Sequence, residues 1–178
     1  MKKHTKLFLT ILGFLFLIIV FLYYYSVNIV FVKDFPENSI IFQKIIRPNE
    51  HFALKYIHSV AKTPVWEYFK IDKSNSLILT ETDFYDHGAG LPYTAFEHEI
   101  FVNEDGLFKI KNMSRKISLP LYYRIGKMRE NHLIFQDKDI DLSEKLGDDV
   151  VTINVKKTNL LRYIILTTIK YVEEEKYE

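Results

Sequence analysis

The sequence predicts an all-β domain, an antiparallel β-sandwich or barrel, behind one N-terminal transmembrane helix, with a short helix near the C-terminus. Three observations predict it. From residue 40 onward, apolar residues recur in short segments, several with strict alternation, most of them closed by turn-forming residues. No convincing helical period separates these segments before residue 159, so the crossovers that a parallel sheet needs are missing. The chain opens with an uncharged run, LFLTILGFLFLIIVFLYYY, over residues 7–25.

That run would span about 28 Å as a helix, close to the hydrocarbon thickness of a bilayer. Residues 1–6 form a short basic start, and Lys2, Lys3 and Lys6 place it in the cytoplasm by the positive-inside rule. Tyr23, Tyr24 and Tyr25 suit the opposite interface. A cleavable signal peptide is the rival reading, but the run is long and no A-x-A-like site follows it. The expectation is a retained signal-anchor over residues 7–25, a connector over 26–38, an extracytoplasmic β domain over 39–157, and a C-terminal segment over 158–178.

The 178 residues are 48% hydrophobic and 15% aromatic, which excludes a disordered chain. About 140 residues remain after the anchor, enough for one domain with its own core. Of 24 basic and 23 acidic side chains, three lysines and no acid lie in the first 32 residues, leaving the remainder at a net charge of −2. Such a domain has no electrostatic footprint for nucleic acid. With no cysteine, a disulfide framework, a zinc-thiolate site, a thiol nucleophile and a lipidated N-terminal cysteine are all excluded.

In order along the chain, residues 29–32 could form a first strand inside the connector. Residues 40–46 end at Arg47-Pro48-Asn49. Residues 51–59 alternate Phe52, Leu54, Tyr56 and His58 against Ala53, Lys55, Ile57 and Ser59. Residues 65–71 follow Pro64 and end in the hairpin-like Asp72-Lys73-Ser74-Asn75. Residues 77–85 alternate as well, up to a Gly88-Ala89-Gly90 turn. Residues 99–102 and 107–110 flank Asn103-Glu104-Asp105-Gly106, a strong hairpin signal. Residues 117–125, 132–135, 140–142 and 150–155 complete the strands. Residues 159–172 put Leu160, Leu161, Ile164, Ile165 and Thr168 at helical spacing, which reads as an amphipathic helix on the domain or membrane surface, or as a last strand.

No G-x-S-x-G, H-E-x-x-H or P-loop pattern occurs, so no catalytic residue, metal ligand or cofactor is assigned. Asp137, Asp139 and Asp141 imitate the start of a calcium loop, but Leu142 stands where that loop needs glycine. Binding candidates concentrate between Tyr56 and Pro92. His58 is a ligand or hydrogen-bond anchor, or a half-buried histidine satisfied by the backbone. Ser59 is its neighbour but faces the other way on a strand, so the two are no evident dyad. Glu67, between Val65 and Phe69 on its face, either points inward and needs a partner, for which Arg124 is attractive, or lies on an outer face. His87 precedes Gly88 and Gly90, whose turn could offer amides to a carboxylate or phosphate, or could be a tight turn and nothing more. A metal held by His58, His87 and Glu67 is conceivable but lacks ligand spacing. His132 completes the set, while His51 and His98 read as solvent-facing.

Taken together, Tyr56-Ile57-His58-Ser59-Val60, Thr63-Pro64-Val65-x-Glu67, Thr82-x-Phe84, Gly88-Ala89-Gly90-Leu91-Pro92, Arg124-Ile125-Gly126 and His132-Leu133 resemble the bacterial domain-of-unknown-function family eighteen-fifty, over most of residues 52–157. Members are small exported or membrane-anchored proteins, often encoded beside TRAP transporters of the TAXI type. The resemblance implies an accessory role near such a transporter and supplies no catalytic residue. The leading expectation is therefore a non-enzymatic accessory module at the cell membrane, with TRAP transporter subunits as partners. The alternative is a sensor that binds a small carboxylate or a metal through His58, Glu67, Arg124 and the glycine turn. A hydrolase using Ser59 with His132 or His87 comes third.

Overall fold

The computed structural model describes residues 2–86, 91–92 and 94–174. Helix α1, Lys2–Tyr24, carries the apolar run, and its side chains are exposed except near its C-terminal end. Its length and composition suit a single membrane span and a signal sequence alike. The chain then passes directly into β1, Ser26–Phe35, and continues through β2, Ile40–Ile45, β3, His51–Ile57, β4, Pro64–Ile71, and β5, Leu77–Phe84. The Asn-Glu-Asp-Gly signal closes a hairpin of β6, Ile100–Glu104, and β7, Leu107–Lys111, with Gly106 at φ 89 and its amide bonded to the Asn103 side chain.

The segment expected at 117–125 is two strands. These are β8, Arg115–Ile117, and β9, Leu121–Ile125, separated at Pro120, which has no amide to give a ladder. They pair in different sheets. A 3-10 turn, Lys127–Arg129, leads to β10, His132–Phe135, and β11, Lys138–Asp141. The short helix α2, Leu142–Leu146, follows, capped by the Asp141 carboxylate, which accepts from the Glu144 amide at 2.8 Å. Strand β12, Asp149–Asn159, runs into α3, Leu160–Glu174, so the helical reading of the C-terminal segment holds.

Among the described residues all strand pairings are antiparallel, in two sheets and no closed barrel. One sheet has the order β2-β1-β12-β9. The other has the order β11-β10-β3-β4-β5-β7-β6, with β8 also on β5. The expected connector is therefore not a linker. β1 lies inside its sheet and pairs with β12 from Ser26↔Asn159 to Phe35↔Val150. Between the sheets, Val30, Val32, Phe42, Val151 and Ile153 pack with Phe52, Leu54, Val65, Phe69, Phe84, Ile110, Leu133 and Phe135 in one core. Each such side chain contributes about 1.5–3 kcal/mol through burial.

Candidate functional site

Beyond the end of β3 the inward alternation of Phe52, Leu54 and Tyr56 continues into His58, which lies in a turn. The Lys62 amide donates to the His58 carbonyl and the His58 amide to the Thr63 carbonyl, both at 2.9 Å, with Lys62 at φ 57. Inside that loop the buried imidazole accepts at Nδ1 from the amides of Val60, at 3.3 Å, and Ala61, at 3.1 Å. An accepting Nδ1 fixes the neutral ring as the tautomer protonated at Nε2. His58 therefore offers a donor rather than a lone pair beyond its own turn.

Glu67 sits opposite Leu54 and Thr82 in the register of β3, β4 and β5, so its carboxyl is on the core-facing side of the sheet. Among the described residues it makes no hydrogen bond and no ion pair. Burial pushes its pKa up, as expected for a carboxyl moved out of water with no cation to hold it.

The facing wall comes from β9, the edge of the other sheet. Tyr123, opposite Val151, points inward, and its ring meets that of Tyr56 edge-on at 6.4 Å. Burial raises both phenols, Tyr56 to about 12 with a further push from the Glu67 charge, so both are neutral donors at physiological pH. A buried network orients Tyr123. The Asn131 side chain donates to its hydroxyl at 3.1 Å and accepts from the Gly126 amide at 3.0 Å. The Ser143 hydroxyl accepts from the Asn131 amide at 2.7 Å and donates to the Gly126 carbonyl at 3.0 Å. Because Tyr123 accepts from Asn131, its own proton is left for the cleft.

Tyr56, His58, Ser59, Glu67, Tyr123, Arg124 and Arg129 line one cleft of about 390 Å³ between the two sheets. Four sequence candidates thus converge: His58, Ser59, Glu67 and Arg124. The expected Glu67–Arg124 ion pair is absent, because the alternation of β9 turns Tyr123 toward the core and leaves Arg124 on the exposed side of an edge strand. His132 does not join them. Its register against Lys55 puts it with Trp66 on the opposite face of its sheet, where Nδ1 lies 2.7 Å from Asp139. His87, Gly88 and Gly90 lie outside the described residues. Ser59 is exposed and hydrogen-bonds to no histidine among the described residues. No group of three or more described His, Asp or Glu side chains could hold a metal ion.

Sequence reasoning missed Tyr56, Tyr123, Arg129 and Asn131 as site residues. Tyr56 and Tyr123 had a signal, since each is a phenol at an inward position of its strand. Arg129 and Asn131 had none, because Arg129 reaches the cleft, and Asn131 reaches Tyr123, from an irregular turn.

No curated protein and no solved structure matches the chain. Residues 52–142 match the family described as Domain of unknown function (DUF1850), and they contain β3 to β11 with the whole lining of the cleft. With half of its length matched, the chain belongs to that family.

Proposed function

We propose that this protein is a membrane-anchored, extracytoplasmic binding domain whose cleft takes a small organic acid, and that it serves as an accessory module of a TRAP-type (TAXI) solute transporter. One observation carries the binding reading. A 390 Å³ cleft with neutral donors and one unpaired carboxyl is lined by Arg129, whose charge acts on both Tyr56 and Tyr123, and by Arg124 from the exposed side of β9, and neither arginine has an ion pair among the described residues. The volume suits a small molecule. The arginines offer bidentate recognition of a carboxylate, and Tyr56, Tyr123, Ser59 and the Nε2 proton of His58 offer further donors. Glu67 selects ligands that also carry a hydroxyl or ammonium group, because its burial disfavours an empty, ionised state. The cleft holds no nucleophile–base pair among the described residues, so binding fits it better than hydrolysis.

The anchor and its orientation are supported by the apolar α1 and by Lys2, Lys3 and Lys6 on one flank. The transporter partnership rests on the family resemblance and is tested by recovering transporter subunits with the tagged chain from native membranes.

Thermal unfolding of the full chain against a panel of hydroxy-, amino- and dicarboxylic acids tests the binding reading. A ligand at a hundred times its Kd stabilises by about 2.7 kcal/mol. The expected result is a rise in Tm with at least one acid, no rise with its uncharged amide, and loss of the effect in Arg124→Gln/Arg129→Gln. A flat response to every acid sinks the proposal.

A further inference from the structure

A second concavity, of about 540 Å³, opens where α1 meets the β domain. Tyr25 and Leu160 form one wall and are joined by a hydrogen bond from the Leu160 amide to the Tyr25 carbonyl at 2.8 Å. Arg47, Lys73 and Lys157 supply the charged part of the lining, from the turn after β2, the β4–β5 turn and the end of β12. All three cations are exposed, and among the described residues none of them forms an ion pair and no acidic residue lines the site.

The nearest acids in sequence are occupied elsewhere. Asp72 accepts from the amides of Ser74 and Ser76, each at 2.8 Å. Glu50 accepts from the Arg47 amide at 2.8 Å and from Gln136. Three like charges gathered from two turns and the end of one strand repel one another unless an anion sits among them. The position says which anion. The site flanks the C-terminal end of α1, where Tyr23 and Tyr24 are exposed as an interfacial belt would be. From its wall α3 departs with Ile164, Ile165 and Ile169 exposed, an apolar face beside the same interface.

We propose that Arg47, Lys73 and Lys157 seat the phosphate of an anionic phospholipid headgroup, with its acyl chains running beside α1 and under the apolar face of α3. This rests on the anchoring part of the proposed function and is independent of the organic-acid cleft. Basic residues near a membrane surface attract anionic lipid, and a pocket of three adds a fixed seat for one headgroup. The lipid then holds the domain at a second point besides the single helix.

The test uses the full chain in a neutral detergent, unfolded thermally with short-chain phosphatidylglycerol, phosphatidylcholine or inorganic phosphate. Phosphatidylglycerol is expected to raise Tm while phosphatidylcholine does not. Arg47→Gln/Lys73→Gln/Lys157→Gln should abolish the rise without lowering Tm in detergent alone. Native mass spectrometry of the wild-type chain should count one retained phosphatidylglycerol. An equal rise with phosphatidylcholine, an unchanged triple variant, or no retained lipid overturns the proposal. Inorganic phosphate matching the lipid at equal concentration overturns it in favour of a free-anion site.

Discussion

Glu67 stands where the pattern of its strand calls for an apolar side chain. Leu54 and Thr82 are its cross-strand neighbours, and both are buried. An unpaired carboxyl there costs stability, and Glu67→Leu is expected to stabilise the domain by about 1–2 kcal/mol in urea unfolding at neutral pH. The same change should remove the response to organic acids. A residue kept at a cost in stability and needed for binding is the mark of a functional position. A second titratable group sits on the other face of that sheet. Asp83 is buried, and its pKa is raised to about 6 by burial and by the Glu81 charge. A raised acid holds its proton in the folded state after the unfolded chain has released it, so stability falls as pH rises from 3.8 to about 6. Asp83→Asn should flatten this part of the profile. If urea midpoints of the variant and the wild type run parallel across that range, the burial effect on Asp83 is absent.

At the scale of elements, the cleft depends on two irregular segments that hold regular strands in place. One is the 58–63 turn closed around the His58 ring. The other is the Gly126–Asn131 turn, whose Asn131 side chain is buried and bridges Gly126 to Tyr123. Asn131→Ala leaves the Gly126 amide without its acceptor and frees the Tyr123 hydroxyl, an expected loss of about 1–3 kcal/mol. Because Tyr123 then loses its orientation, acid binding should weaken beyond what the lower stability explains, which titration well below Tm can separate. These turns also mark where the sequence stops being readable. β3 and β4 announce themselves by alternation, whereas a register shift in β5 between Leu79 and Glu81 brings Leu77, Leu79 and Phe84 to the same core, which alternation would put on opposite faces. The turn residues carry no period, so Asn131 reads as an ordinary loop asparagine and Arg129 as a solvated charge. His132 misleads for a related reason. Its place in β10 is visible, but its face is set by pairing with Lys55, and register belongs to two strands rather than one.

For the whole molecule, the least visible element is the one that joins its parts. β1 reads as a connector because it lacks alternation: Ile29 and Val30 are adjacent and both buried. Val30 belongs to the core between the sheets, while Ile29 is buried outside that core, on the face that carries α3. A strand covered on both sides shows a continuous apolar run, and here that run follows the apolar helix α1 and blends into it. The consequence is a domain boundary at Ser26 rather than at residue 39. A fragment of residues 26–178 keeps the complete β1–β12 ladder, from Ser26↔Asn159 onward, and is expected to unfold cooperatively in urea. A fragment of residues 39–178 loses β1, which separates β2 from β12, so β2 has no strand to pair with and Phe42 leaves the core with Val30 and Val32. Losing the burial of Val30, Val32 and Phe42, at about 1.5–3 kcal/mol each, together with the partner strand of both neighbours, is comparable to the whole 5–15 kcal/mol that holds a domain of this size together. The shorter fragment should therefore show no cooperative transition and no near-ultraviolet circular dichroism from its packed tyrosines. A 39–178 fragment that melts like 26–178 would mean that the second sheet folds alone and that β1 is a tether after all.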